Sequence, residues 1–203
     1  SGDPGGDTRL LRFPTLSKDS IAFVYGGDLW IAPRGGGLAR QLTTDAGLEW
    51  LPRFSPDGAW IAFTGQYDGN RDVYVIPAEG GEPKRLTWWA DTGSPSERQG
   101  PNNMVMGWTP DGKRILFRSR HQAWEDRAGR LYTVSLEGGL PQPVGIPEGG
   151  FATFSPDGKK LFYNRIFRDF RTWKRYRGGM TQNLWIYDLT ANKLEKITES
   201  DST

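Results

Sequence analysis

Phe54-Ser55-Pro56-Asp57-Gly58 is the phrase on which the fold turns, because it returns as Trp108-Thr109-Pro110-Asp111-Gly112 and as Phe154-Ser155-Pro156-Asp157-Gly158. A degraded copy, Leu16-Ser17-Lys18-Asp19-Ser20, precedes all three. The chemistry of the phrase is that of a tight turn. Proline presets φ at the second turn position, Asp bonds back to the local backbone, and Gly takes the positive φ that closes a hairpin. After each copy comes an apolar run and then a second, alternating one: Leu29-Trp30-Ile31, Val73-Tyr74-Val75-Ile76, Leu131-Tyr132-Thr133-Val134 and Leu184-Trp185-Ile186-Tyr187. A Gly-rich link such as Glu79-Gly80-Gly81 or Glu137-Gly138-Gly139 follows, and then a short closing run such as Lys84-Arg85-Leu86-Thr87 or Glu195-Lys196-Ile197-Thr198.

The unit is therefore four strands joined by hairpins. Successive copies of the turn are 38, 54 and 46 residues apart, around the period of roughly 40 to 50 expected of four-stranded propeller blades. The expected fold class is all-β, a β-propeller with blades at about 9–43, 48–87, 104–145 and 151–198, fanned round a central channel. No helical period of adequate length separates the strands, which disfavours a parallel α/β sheet.

Composition narrows the chemistry. Among 203 residues there is no Cys and one His, His121. That excludes a disulfide framework, a thiolate metal site, a cysteine nucleophile and zinc sites built on two or three His. No metal, no cofactor and no catalytic residue is expected, and the compartment stays open because a cysteine-free chain suits either redox condition. Gly and Pro together number 41, enough to chop the chain into short strands but below the share of low-complexity disorder. A net charge of +2 gives no global field that would select a nucleic acid or a membrane. No apolar run approaches the roughly 18 residues of a membrane span, so a soluble protein is expected. Residues 1–8 read as a disordered leader or tag remnant.

Three insertions break the repeat: Trp88 to Asn103, His121 to Gly129 and Ile166 to Gln182. Insertions in repeats map to loops, where binding is commonly placed. In the third, Phe167, Phe170, Trp173 and Tyr176 recur every third position and each precedes a basic residue. From Arg165 to Gly179 the net charge is +5, against −3 for the rest of the chain. Interleaved aromatic and cationic side chains can stack bases and hold phosphates. They can equally pack the aromatics on a neighbouring blade with Arg laid over them. A period of three fits neither a helix face nor a strand face, which favours packing and makes nucleic acid the weaker reading. His121, between Arg118-Ser119-Arg120 and Gln122, reads as an exposed loop histidine with no serine in a nucleophile-elbow context. Asp57, Asp111 and Asp157 are explained by their turns. Arg34-Gly35-Gly36-Gly37 and Glu79-Gly80-Gly81 are not phosphate loops, since no helix follows either.

The aromatic-Ser/Thr-Pro-Asp-Gly turn, with Asp72-Val73-Tyr74-Val75-Ile76-Pro77 running to Arg85-Leu86-Thr87, resembles the propeller repeat of TolB, tricorn proteases and prolyl-oligopeptidase-like enzymes. More specific is Arg171-Thr172-Trp173-Lys174-Arg175-Tyr176-Arg177-Gly178-Gly179 leading into Asn183-Leu184-Trp185-Ile186-Tyr187. It is similar to the Trp-Lys-x-Tyr-Arg-Gly-Gly stretch of the tricorn amino-terminal propeller, and Ile21 to Trp30 fits that family's first blade. The resemblance runs from about Leu10 onward. It implies blades one to four of a six-bladed, TolB-like propeller, the non-catalytic part of a large serine peptidase, shielding its active site and guiding peptides. The implied partners are peptides and the remaining domains of the parent peptidase, and none of the family's catalytic positions carries over. A basic pair that holds the substrate carboxylate in the family has only Arg98 to match it in the Trp88–Asn103 insertion. The candidate peptide-binding residues are thus Arg98, Arg171, Trp173, Lys174, Tyr176 and Arg177. A TolB-like protein-interaction scaffold is the alternative, with single-stranded nucleic-acid binding through 165–177 as a further one. Four blades of six also leave apolar faces uncovered on units one and four, so self-association is expected.

Overall fold

Each repeat folds as its own antiparallel sheet. In the computed structural model, which describes residues 11–44, 46–89, 102–121, 129–146, 149–164 and 183–198, sixteen strands form four sheets of four. Blade one comprises β1 (Arg12–Leu16), β2 (Ser20–Tyr25), β3 (Asp28–Pro33) and β4 (Arg40–Gln41). Blade two holds β5 (Leu48–Phe54), β6 (Trp60–Gln66), β7 (Arg71–Pro77) and β8 (Lys84–Arg85). Blade three is β9 (Met104–Trp108), β10 (Arg114–Ser119), β11 (Arg130–Ser135) and β12 (Gln142–Pro143). Blade four is β13 (Ala152–Phe154), β14 (Lys160–Asn164), β15 (Leu184–Asp188) and β16 (Lys193–Lys196). Within every blade the strands pair in chain order, the up-and-down arrangement of a propeller blade. The fold is all-β, as the repeat predicts, and no described residue is helical. The expected leader at 1–8 lies outside the described residues.

The recurring phrase makes the same turn each time. Ser55 Oγ donates to Asp57 Oδ1 at 2.5 Å and accepts the Trp60 backbone N–H at 2.9 Å. Thr109 and Ser155 repeat the contact to Asp111 and Asp157, at 2.6 Å each. Gly58, Gly112 and Gly158 have φ near 70°, at 72°, 69° and 70°, a region any Cβ disfavours. Hydrogen bonds from the Ser or Thr hydroxyl, and then from the backbone, hold these three carboxyls below the ordinary range. The degraded copy closes a shorter loop, in which Ser17 Oγ accepts the Ser20 N–H at 3.0 Å.

Blades pack face to face in sequence, β1 beside β5, β5 beside β9 and β9 beside β13. Ala22, Val24, Leu29 and Ile31 of blade one meet Phe54, Ile61, Phe63, Tyr74 and Ile76 of blade two. Ala62, Val73, Val75 and Leu86 on the other side of blade two meet Val105, Trp108, Ile115, Phe117, Tyr132 and Val134 of blade three. Alternation along each strand explains this: one parity faces the preceding blade and the other the following one, so both are apolar. Each fully buried Leu, Ile or Phe contributes about 1.5–3 kcal/mol. Near the innermost strands Leu51, Met104, Met106 and Ala152, with Phe13 against them, form one cluster that continues into the third seam. Phe13 and Leu51, each before a proline, sit at φ 53° and 52°. Both fall where the strand register breaks into a bulge, which bends and twists the strand.

Candidate functional site

The two ends of the blades differ. In a four-stranded meander the connections between first and second and between third and fourth strands leave at one end. The connection between second and third strands, and the link to the next blade, leave at the other. The Pro-Asp-Gly and Gly-Gly turns therefore occupy one end, where successive turns abut. A Cβ on Gly58 would come 3.2 Å from Ser17 Cβ, and Cβ atoms on Gly112 and Gly158 would lie 3.6 and 3.7 Å from Pro56 and Pro110. All three insertions leave the sheets at the opposite end. That end is the candidate functional face. Arg98 and the five residues Arg171, Trp173, Lys174, Tyr176 and Arg177 all lie outside the described residues, so the geometry on hand is that of the platform from which the insertions spring.

At the platform the seams between blades are closed by buried polar groups. Thr43, the closing residue of blade one, accepts the Leu29 N–H at 2.9 Å and gives its own hydroxyl hydrogen to Glu49 Oε2 at 2.8 Å. Glu49, from blade two, also accepts Leu29 N–H at 3.0 Å and Tyr67 OH at 2.7 Å. Its backbone N–H donates to Gly27 O at 2.9 Å. In the second seam Thr87 accepts Val73 N–H at 3.0 Å and donates to Asp72 Oδ1 at 2.6 Å. Asn103, which occupies in blade three the position of Glu49 in blade two, reaches Arg71 O at 2.8 Å and Asp72 Oδ1 at 3.4 Å. In the third seam that position is Gly149, whose N–H donates to Gly129 O at 2.9 Å. Its carbonyl accepts Arg118 Nε at 3.2 Å. One geometric task, tying the next blade's first strand to the carbonyl two residues before Leu29, Val73 or Leu131, is thus met by three different residue types.

Burial sets the electrostatics. Removal from water raises the Glu49 carboxyl above its ordinary range, with hydrogen bonds from Tyr67 and Thr43 opposing and the Asp28 charge reinforcing. Burial likewise raises Asp72, against Thr87 and Arg85. Arg85 Nη2 lies 2.6 Å from Asp72 and Nη1 lies 3.1 Å from Asp68. Its guanidinium also stands 5.7 Å from the ring centre of the exposed Trp88. Arg118 is buried, and burial followed by the charge of Arg120 lowers it to about 10.

His121 is not the exposed loop residue its neighbours suggest. It is half-buried, its ring stacked on Trp89 with centroids 4.0 Å apart and planes at 11°. Trp89 in turn lies edge-on to Tyr132 at 4.9 Å, and Tyr132 OH donates to the His121 carbonyl at 2.8 Å. The first residues of one insertion and the entry to another are so bound together. The adjacent Ser119 Oγ donates to Asn102 Oδ1 at 3.2 Å and accepts the His121 N–H at 3.1 Å. Imidazole and hydroxyl are both committed to structure. Among the described residues no group of three or more His, Cys, Asp or Glu could hold a metal ion.

Sequence reading passed over Glu49, Asp72, Asn103, Arg118 and the closing Thr residues. The one available signal was the Leu-Thr or Ile-Thr that ends blades one, two and four, fourteen residues after the N–H it caps in each.

Comparison with known proteins agrees with the repeat. A family profile described as the tricorn protease N-terminal beta propeller domain matches residues 8–203. Tricorn protease homolog 1 of Streptomyces coelicolor is 37% identical over 181 residues, covering 87% of this chain and 16% of that protein. The chain thus spans about a sixth of that relative's length. The crystal structure of the tricorn protease superposes with a TM-score of 0.79 at 27% identity, over 96% of this chain and 19% of that one. TolB from Acinetobacter baumannii shares the fold, at a TM-score of 0.68 and 21% identity over 94% of this chain and 44% of that one. By its four repeated blades and by these matches, the chain belongs to the tricorn protease N-terminal β-propeller family.

Proposed function

We propose that this chain is the non-catalytic propeller part of a tricorn-like serine peptidase, with two further blades completing its ring, and that it walls off the active site and guides peptides. The observation that carries the reading is the polarity of the blades. One end is paved with abutting tight turns, and the other, closed by buried polar seams, launches every insertion. Rigid elements that position long loops are the usual support for binding. Arg98, Arg171, Trp173, Lys174, Tyr176 and Arg177 would meet the peptide, the cations holding carboxylates and the aromatics stacking on apolar side chains.

Fluorescence anisotropy with labelled peptides tests this. A peptide with a free carboxyl terminus should bind, remain uncleaved, and lose at least about tenfold in affinity when Arg171, Lys174 and Arg177 are replaced together by Ala, about 1.4 kcal/mol. Equal binding by the triple variant would remove those residues from the site. A single-stranded oligonucleotide that displaced the peptide, with affinity falling steeply in salt, would favour the nucleic-acid reading instead.

A further inference from the structure

Aspartate followed by glycine is the dipeptide in which a protein chain most readily rearranges, because the unhindered glycine nitrogen can attack the neighbouring carboxyl. The sequence holds four such pairs: Asp57-Gly58, Asp68-Gly69, Asp111-Gly112 and Asp157-Gly158. All four aspartates lie exposed at the surface, so access to water does not distinguish them. Their hydrogen bonds do.

In the three Pro-Asp-Gly turns both reacting groups are occupied. The Asp Oδ1 accepts the hydroxyl of Ser55, Thr109 or Ser155 at 2.5, 2.6 and 2.6 Å, and the backbone N–H of Ala59, Lys113 or Lys159 at 3.0 Å each. The glycine N–H donates to the carbonyl of the same Ser55, Thr109 or Ser155 at 2.9 Å in every case. The bonds to the carboxyls also hold them below their ordinary range, and an ionised carboxylate is a far poorer electrophile than the acid. Asp68-Gly69, in the turn between β6 and β7, differs at each point. Among the described residues its Oδ1 accepts the Asn70 N–H alone, at 3.3 Å, while its Oδ2 pairs with Arg85 Nη1 at 3.1 Å. The Asp68 side chain is 53% exposed, where an ion pair holds weakly. The Gly69 N–H meets no acceptor among the described residues, and a Cβ on Gly69 would have nothing within 4 Å. The nucleophile is therefore unengaged and the space around it is open.

We propose that Asp68 is a site of spontaneous isoaspartate formation, and that the fold protects the three turn aspartates of the same dipeptide. The Gly69 nitrogen attacks Cγ of the protonated Asp68 carboxyl. The N–Cγ bond forms, the bond from Cγ to its hydroxyl breaks, and hydroxyl and amide proton leave as water. Water then opens the five-membered succinimide. Addition at Cγ returns aspartate, whereas addition at the α-carbonyl breaks the original peptide bond and leaves the main chain running through Cγ. Nothing is oxidised or reduced, and no partner molecule besides water is needed. The product lengthens the turn by one main-chain carbon and places the free carboxylate directly on Cα. This turn leaves blade two at the end from which the insertions spring. The contact from Asp68 to Arg85 is thereby changed on the candidate face, beside Trp88, while Arg85 keeps Asp72 at 2.6 Å.

Prolonged incubation of the full chain near neutral pH, with and without urea, followed by tryptic peptide mapping, tests it. The peptide from Phe54 to Arg71 carries both Asp57 and Asp68, so electron-transfer fragmentation is used to assign isoaspartate to one or the other. In the folded chain Asp68 should convert at least about tenfold faster than Asp57, Asp111 or Asp157, because each of those must first give up hydrogen bonds of its turn. In urea all four should convert at similar rates, since glycine follows each. Ser55→Ala, with circular dichroism to check its fold, should speed conversion at Asp57 severalfold and leave Asp111 and Asp157 unchanged. Three results would each overturn the proposal: equal rates at the four sites in the folded chain; the same preference for Asp68 in urea, which would assign it to local sequence; or an Asp57 in the Ser55→Ala chain as slow as in wild type.

Discussion

Replacing Glu49 separates the two jobs its carboxylate does, accepting three hydrogen bonds and carrying a charge away from water. In Glu49→Ala the hydroxyls of Tyr67 and Thr43 lose their acceptor, while the Leu29 N–H keeps Thr43 Oγ1 at 2.9 Å. Hydrogen bonds to a charged group contribute about 1.5–3 kcal/mol each, and the truncated side chain leaves a void besides. Part of this is offset because an unfavourably buried charge is also removed, so the expected loss is about 2–4 kcal/mol. Glu49→Gln keeps an oxygen for Leu29 N–H and Thr43, and its amide can donate to the Tyr67 oxygen. It should lie within about 1 kcal/mol of wild type at neutral pH. The pH dependence then has a definite sign. The folded pKa of Glu49 is raised above its ordinary 4.5, so the folded state holds the proton more tightly than the unfolded chain. Its contribution to stability is fully present below the ordinary value and is lost as pH rises through the raised one. Wild type should therefore gain on Glu49→Gln as pH falls through that window. Urea midpoints measured at several pH values would show it. A pH-independent gap between the two, or a Glu49→Ala protein as stable as wild type, would refute this account of the seam.

Asp57→Ala should behave oppositely to Glu49: the turn carboxyl is lowered, so the loss of stability should be full above its ordinary 3.8 and vanish as pH falls through the depressed value, which thermal melts across the acid range would read. Gly129→Ala should cost about 1–3 kcal/mol in urea titration, because the new Cβ would lie 2.1 Å from Arg118 Nε in a buried seam, while Gly107→Ala, with nothing within 4 Å, should cost less than about 1 kcal/mol. Purified chain should hydrolyse no peptide. His121→Ala should leave that unchanged while altering tryptophan fluorescence, through loss of the Trp89 stack, and hydrolysis abolished by His121→Ala would contradict the structural role given to the ring.

The turn phrase was legible because its chemistry is local. Ser55, Asp57, Gly58 and Trp60 satisfy one another within five residues, so composition and order alone decide the hairpin, and four hairpins at one period decide a propeller. The apolar parity of the strands was legible for the same reason, since a strand buried on both faces reads as a continuous run. What the sequence could not show is which polar residues close the seams. Glu49 answers to Leu29 and Thr43, and Asn103 to Arg71, partners 20, 6 and 32 residues away. The equivalent position is filled by Glu, Asn and Gly in turn, because the carbonyl it meets needs only an N–H, from the backbone of Glu49 and Gly149 or from the side-chain amide of Asn103, once the blades are docked. His121 was misread on the same ground: flanking arginines describe a loop, but only packing brought Trp89, 32 residues earlier in the chain, flat against its ring. Local bonding was written along the chain, while burial and partnership across blades were decided by the tertiary fold, where distance in sequence carries no information about distance in space.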